Sequence, residues 1–221
     1  MISIVIPTYE MQGFGVQMLH NLIDSCLNQT YNECEIIVSD DSADDNIENY
    51  CNHKPYINYF RNHGKKGASP NLNNGLRHCT GDIVKPMFMD DVILDFDCLE
   101  KFATMKANWA VCTSTHTSER GDHVPWQSKD LYELARGCNS FGSPSGVAWK
   151  RNDLTFDETL VWLLDCDFYV KLITAYGEPE IIDTKVLIME WDGSATNTIA
   201  SGSVRITELE YMENKYSNLK K

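Results

Sequence analysis

Asp90 and Asp91 close the apolar run Ile83–Met89, and two adjacent acids at such a point can do chemistry. The run is shaped like a buried strand, which places both carboxylates at its carboxyl end. Open α/β sheets bind ligands at that rim. Carboxylates in a crevice can hold a divalent cation, and the cation can hold a diphosphate. Two further acidic clusters fall where strands or their following loops should end, Asp40/Asp41 and Asp165/Asp167, and Glu10 follows the first strand. Each also has a plain structural reading. Asp40-Asp41-Ser42 can be a turn and a helix cap. Asp90/Asp91 can cap a helix from Asp95. Asp165 and Asp167 can be helix-surface acids, although their neighbours Leu163, Leu164, Cys166 and Phe168 are apolar and acids in such company need partners.

The elements that must position these acids follow from periodicity. Ile2–Ile6 reads as a buried first strand ended by Pro7. Val16–Asn28 has apolar residues at helical spacing. Cys34–Ser39 and Tyr56–Phe60 read as strands with a short helix, Asp44–Tyr50, between them. Gly67–Asn74 is rich in Gly, Asn, Ser and Pro and reads as a loop feeding a helix through Leu76–Cys79. Strand Ile83–Met89, helix Phe96–Lys106 and strand Trp109–Thr113 complete an alternation that favours a parallel sheet with crossover helices. Beyond it, Ser114–Ser128 is polar, Leu131–Arg136 reads as a short helix, and Phe141–Gly146 is a turn-rich loop. Leu160–Ala175 reads as a helix, Glu180–Met189 as a strand and Ser203–Tyr216 as a polar terminal helix. The expected fold class is α/β, a mostly parallel Rossmann-like sheet flanked by helices. One domain is expected over 1–221, with halves 1–113 and 114–200 and a C-terminal helix in 201–221.

The formal charge of −13 over 221 residues, with no Lys/Arg block, argues against a nucleic-acid partner and against an anionic lipid surface. It is compatible with an anionic ligand bridged by a metal. None of the eight Cys forms Cys-x-x-Cys, so a zinc ribbon is not expected and buried free thiols in a reducing compartment are. The first residues lack a basic n-region, and no apolar run approaches the roughly 20 residues needed to span a bilayer. The expected location is cytoplasmic, with peripheral membrane docking left open. His116, His123 and the other His do not cluster at ligand spacing, and surface positions are expected for them.

Together these residues resemble the family 2 glycosyltransferases with the GT-A fold. Ile2-Ser-Ile-Val-Ile-Pro-Thr-Tyr-Glu10 is similar to the family's first strand and donor loop. Ser25–Tyr31 followed by Glu35-Ile-Ile-Val-Ser-Asp-Asp41 resembles its first helix end and second strand. Gly67, Asn73-Asn-Gly-Leu76 and Gly81-Asp-Ile-Val84 precede the acids at the family's spacing, and Phe156-Asp-Glu158 and Leu164-Asp-Cys-Asp-Phe168 resemble its acceptor-side motif. The likeness covers roughly residues 1–190.

The resemblance implies an inverting transfer of sugar from a nucleoside diphosphate sugar, most simply a uridine diphosphate sugar, to a glycan or lipid-linked acceptor. It implies Mn2+ or Mg2+ on Asp90, with Asp91 assisting. It implies a base and ribose wall from Pro7, Thr8, Tyr9 and Glu10, a base contact from Asp41, phosphate neutralisation by Lys66 and a donor-side role for Asn73. Asp165 becomes the general base, its pKa raised by burial and by Asp167, which can instead orient the site or bind acceptor. Ser143, Ser145 and Gly146 line the donor sugar or acceptor, or form an ordinary turn. The chain departs from the family in three places. Phe88-Met89-Asp90 stands where Asp-x-Asp is common, no His follows His123, and Leu164 replaces the usual Glu before the base. Glu190, Asp192 or Asn197 are the candidates to fill the place of the late His. The rival readings are a catalytically silent binding module of the same fold and a sugar nucleotidyltransferase. The second needs a Gly-rich, Arg-bearing loop after the first strand, which Pro7–Glu10 lacks.

Overall fold

A computed structural model of the chain describes residues 1–126, 130–190 and 202–219. The strands are β1 (Ile2–Thr8), β2 (Cys34–Asp40), β3 (Ile57–Arg61), β4 (Ile83–Pro86), β5 (Val92–Ile93), β6 (Trp109–His116), β7 (Asp122–His123), β8 (Val147–Lys150) and β9 (Glu180–Ile188). The helices are α1 (Gly15–Leu27), α2 (Asn46–Asn52), α3 (Ala68–Leu76), α4 (Cys98–Ala103), α5 (Leu131–Ala135), α6 (Leu164–Tyr176) and α7 (Ser203–Lys215). The sheet runs β3-β2-β1-β4-β8-β6-β9-β5, with β7 paired to β6.

β1 is buried along its whole length because helices cover both faces of the sheet. Ile2, Ile4 and Ile6 face one core with Leu19, Leu22 and Phe102, while Val5 faces a second with Leu72, Trp109 and Phe168. This is the two-residue alternation of a strand dividing side chains between two layers. Strands β1 to β4 pair in parallel as expected. The expected parallel continuation to β6 is corrected. β8 inserts between β4 and β6 and runs antiparallel to both. Its four residues follow a turn-rich segment and carry no strand signal strong enough to read.

Two further expectations shift. The segment read as a loop, Gly67–Asn74, is mostly α3. Its polar side chains are buried rather than solvated because they bond to the sheet. Ser39 Oγ donates to Asn71 Oδ1 at 2.7 Å, Asn71 Nδ2 donates to the Thr8 carbonyl at 3.0 Å, and Asn74 Nδ2 donates to Ser39 Oγ at 2.9 Å. Gly75 lets the helix sit against β1, since a Cβ there would lie 2.5 Å from Val5 Cγ1. The strand expected to reach Met89 ends at Pro86. The Phe88 amide leaves the ladder to donate to Ser145 Oγ at 2.9 Å, so Met89, Asp90 and Asp91 ride on a loop.

Candidate functional site

β1 and β4 are neighbours, yet the chain travels outward through β2 and β3 before crossing back to β4. That reversal makes a crevice at their carboxyl ends, where ligands of open α/β sheets bind. The loop after β1 and the loop after β4 meet there, the Tyr9 amide donating to Met89 Sδ at 3.4 Å. The loop after β1 is strained. Met11 and Gln12 hold φ of 45° and 55°, a region that non-glycine residues rarely adopt.

A cavity of about 490 Å³ opens beside this crevice. Phe88, Asp90 and Asp91 line it from one loop, Ser143 and Pro144 from another, and Trp162, Leu164 and Asp165 from the start of α6. The sequence-distant acids Asp90 and Asp165 therefore face one space. Tyr9 is 43% exposed and near enough to Asp90 that, after burial, the Asp90 charge is what raises its phenol pKa.

Asp91 is engaged by its neighbours. It is buried, and Ser145 Oγ donates to its Oδ2 at 2.5 Å while the Met189 amide donates to its Oδ1 at 3.3 Å. Burial, then the neighbouring Asp90 charge, pushes its pKa up. Asp91 ties the β4 loop to the 143–146 turn and to the end of β9. Ser145 completes that tie, accepting from Phe88 and donating to Asp91, and is itself buried. Lys85, fully buried in β4, donates to the carbonyls of Ser145 and Val147 from below. The one charged residue of an apolar run was the signal for this clamp, and the sequence reading passed over it.

Asp165 is half-buried. The Asn139 amide nitrogen donates to its Oδ2 at 2.8 Å and the Cys166 amide to its Oδ1 at 2.7 Å. Burial nevertheless raises its pKa to about 6. Asp167 is engaged elsewhere. It is fully buried on the other side of α6, paired with Lys171 at 2.7 Å and Lys215 at 2.6 Å, and Tyr216 OH donates to it at 2.7 Å. Two residues on a helix are 200° apart, so the alternating acids were bound to face opposite ways. Asp167 does not line the cavity, so the acceptor or orienting role expected for it has no exposed carboxylate to rest on.

Other expected positions also move. Gly146 packs against β6, where a Cβ would lie 3.1 Å from Ser114 Oγ, and does not border the cavity. Asn73 is spent on the 156–158 turn, donating to the Phe156 carbonyl at 2.9 Å and Glu158 Oε1 at 3.0 Å, so its donor-side role is not supported. Pro7 and Thr8 are buried within β1, leaving Tyr9 and Glu10 as the outward part of that wall. Asp41 accepts from Asn62 Nδ2 and the Gly67 amide, both at 2.7 Å. Lys66 lies 3.7 Å from Asp41 beside a shallower depression lined by Arg61, Asn62 and His63, away from the Asp90 cavity. Trp149 is core, 4.8 Å from the Phe168 ring, whereas Trp126 is exposed.

His116 and His123, read as surface residues, line the cavity because β6 and β7 form one of its walls. His116 Nδ1 is 2.8 Å from Glu190 Oε1, and Arg120 Nη1 is 3.1 Å from the same oxygen. Burial opposes the Glu190 charge, but hydrogen bonds from Ser118 and His116 and the Arg120 charge hold its pKa below the ordinary range. Asp192 and Asn197 lie outside the described residues. Among the described residues no group of three or more His, Cys, Asp or Glu is arranged to hold a metal alone. A hard oxygen donor such as Asp90 would suit a cation of the Mg2+ kind, which binds through one or two carboxylates plus substrate phosphates.

Comparison with known proteins accords with this geometry. The model of the glycosyl transferase family 2 domain matches residues 3–162. Chondroitin synthase of Escherichia coli is 28% identical over 188 residues, 78% of this chain and 26% of that protein. A Campylobacter jejuni GalNAc(5)-diNAcBac-PP-undecaprenol beta-1,3-glucosyltransferase is 35% identical over 98 residues, 42% of this chain and 30% of that protein. The chain thus spans under a third of either relative. Among solved structures, Staphylococcus aureus TarS 1–349 in complex with UDP-GlcNAc superposes with a TM-score of 0.77 at 17% identity, over 99% of this chain and 66% of that one. The mannosyltransferase PcManGT of Pyrobaculum calidifontis, in complex with GDP-Man and Mn2+, gives 0.61 at 16% identity, over 100% of this chain and 76% of that one. With a domain model matched over most of its length and a GT-A sheet beneath it, the chain belongs to glycosyl transferase family 2.

Proposed function

We propose that the chain transfers a sugar from a nucleoside diphosphate sugar, most simply a UDP-sugar, to a glycan or lipid-linked acceptor with inversion at the anomeric carbon. The observation that carries this reading is that Asp90 and Asp165 line one cavity while differing in environment. Asp90 sits beside the loop after β1, the side on which the nucleotide would lie in this reading. Asp165 sits among apolar groups that raise its pKa to about 6, near the working range of a general base. Asp165 takes the proton of the acceptor hydroxyl as its oxygen bonds to the anomeric carbon. The carbon–phosphate oxygen bond breaks, and its electron pair leaves with the diphosphate. Asp90 would hold a divalent cation, which when bound would supply charge neutralisation for that leaving group. Asn139 fixes the Asp165 carboxylate from the cavity wall, and Tyr9 offers a face for the nucleotide base. Asp41, at the end of β2, is the base contact and favours a uracil imide as donor.

Both acids argue against a silent module, which has no need to keep a base of raised pKa in the same cavity. The test is a thermal-shift panel of nucleotide sugars with and without manganese. A ligand at about 100 times its Kd stabilises by about 2.7 kcal/mol. A manganese-dependent shift with a UDP-sugar is expected. No metal-dependent shift with any nucleotide sugar removes the reading.

A further inference from the structure

α6 carries Asp165 in its first turn, yet its N-cap residue Leu163 offers no side-chain cap. The amides ahead of the helix need acceptors. They find them on α7. Glu208 Oε1 accepts from the Val161 amide at 2.8 Å, and its Oε2 accepts from Trp162 at 3.0 Å and Leu163 at 2.8 Å. Glu208 is only 5% exposed on a helix whose other buried residue is Met212. A carboxylate seated on successive backbone N–H groups is an anion nest, and here it also meets the positive end of the α6 dipole. The same turn borders the cavity, since Val161, Trp162, Leu164 and Asp165 all line it. Arg205, also on α7, lies over the Trp162 ring at 5.1 Å. Two other anchors of this C-terminal segment hold groups that do not line the cavity. Lys215 pairs with Asp157 at 2.5 Å and Asp167 at 2.6 Å, and Tyr216 holds Asp167.

We propose that Glu208 is a positioning residue for transfer: by capping the 161–163 turn from α7 it fixes where Asp165 and the Trp162 wall stand in the cavity. The proposal rests on Asp165 being the base. It makes α7 part of the working site, although the segment lies beyond the residues matched by the family model.

The experiment measures nucleotide release from the UDP-sugar that stabilises the protein most in the panel above, with manganese. The variants are Glu208→Ala, Glu208→Gln, Met212→Ala and Asp165→Asn. Met212→Ala loosens α7 through the core without touching the 161–163 amides. Glu208→Ala is expected to lower kcat on the order of tenfold to a hundredfold with little change in KM for the donor, as misplacement of a reacting group does. Glu208→Gln keeps one acceptor oxygen and should fall between wild type and Glu208→Ala. Met212→Ala should lower Tm while keeping kcat below its melting range. Wild-type kcat in Glu208→Ala, or an equal kcat loss in Met212→Ala at matched Tm, overturns the positioning role alone if Asp165→Asn is inactive. Wild-type turnover in Asp165→Asn overturns the base assignment and the positioning claim with it.

Discussion

Replacing Asp165 with Asn should stabilise the protein at neutral pH while abolishing transfer. Burial lifts the Asp165 pKa from 3.8 to about 6. At 1.36 kcal/mol per pH unit, keeping this carboxylate charged costs about 3 kcal/mol of folding stability above pH 6. That figure is an upper bound, because water in the open cavity screens the charge. The cost is absent below the unfolded pKa near 3.9, grows as pH rises to 6 and is constant above. Asn removes it. Asn also loses a hydrogen bond. The Asn139 oxygen already accepts from the amides of Phe141 and Gly142, so its side chain cannot flip to receive a new NH2 group. That loss is about 1–1.5 kcal/mol. The net gain at pH 8 is about 1–2 kcal/mol, or roughly 2–8 °C in Tm for a domain of this size. Near pH 4.5 the gain should vanish. Melting curves of both proteins from pH 4.5 to 8, with nucleotide release measured in parallel, test this. Wild-type turnover should rise with pH through about 6 as the base ionises. A Tm difference of the same sign and size at both pH extremes refutes the claim that the Asp165 charge is held at a cost.

Ser145→Ala should cost about 2–4 kcal/mol, because it strands the buried Asp91 carboxyl and the Phe88 amide together. Chemical denaturation checks it, and a loss below 1 kcal/mol means that the clamp is not formed. Gly75→Ala, which gains about 1 kcal/mol in an open helix, should instead cost about 1–3 kcal/mol through the approach to Val5. A higher Tm in that variant contradicts the close packing of α3 on β1. Asp90→Asn should lose the manganese-dependent part of the UDP-sugar thermal shift. An unchanged manganese dependence moves the cation elsewhere.

The strands β1 to β4 and the rim of acids were legible because strand periodicity is local and chemistry-bearing residues interrupt it. Asp90 and Asp165 stood out as candidates for the same reason, each being an acid beside apolar residues, and both line one cavity. α3 was not. Its Ser and Asn composition is a loop signal in an isolated chain, and only bonds to Ser39 and Thr8, over 30 residues away, make it a buried helix.

Strand periodicity along the chain was enough for the α/β class and for the carboxyl-end placement of Asp41 and Asp90, and the motifs around them were enough for the family resemblance. Only the folded chain set how the surroundings differ within the 90/91 and 165/167 pairs. Asp91 is clamped by Ser145 while Asp90 lines the cavity, and Asp167 is taken by lysines while Asp165 is held by Asn139. Structure alone also put His116 on the cavity wall and seated Glu208 on the 161–163 amides. Which neighbour satisfies a buried charge depends on elements that meet only in the folded chain, and no spacing along the sequence encodes that meeting.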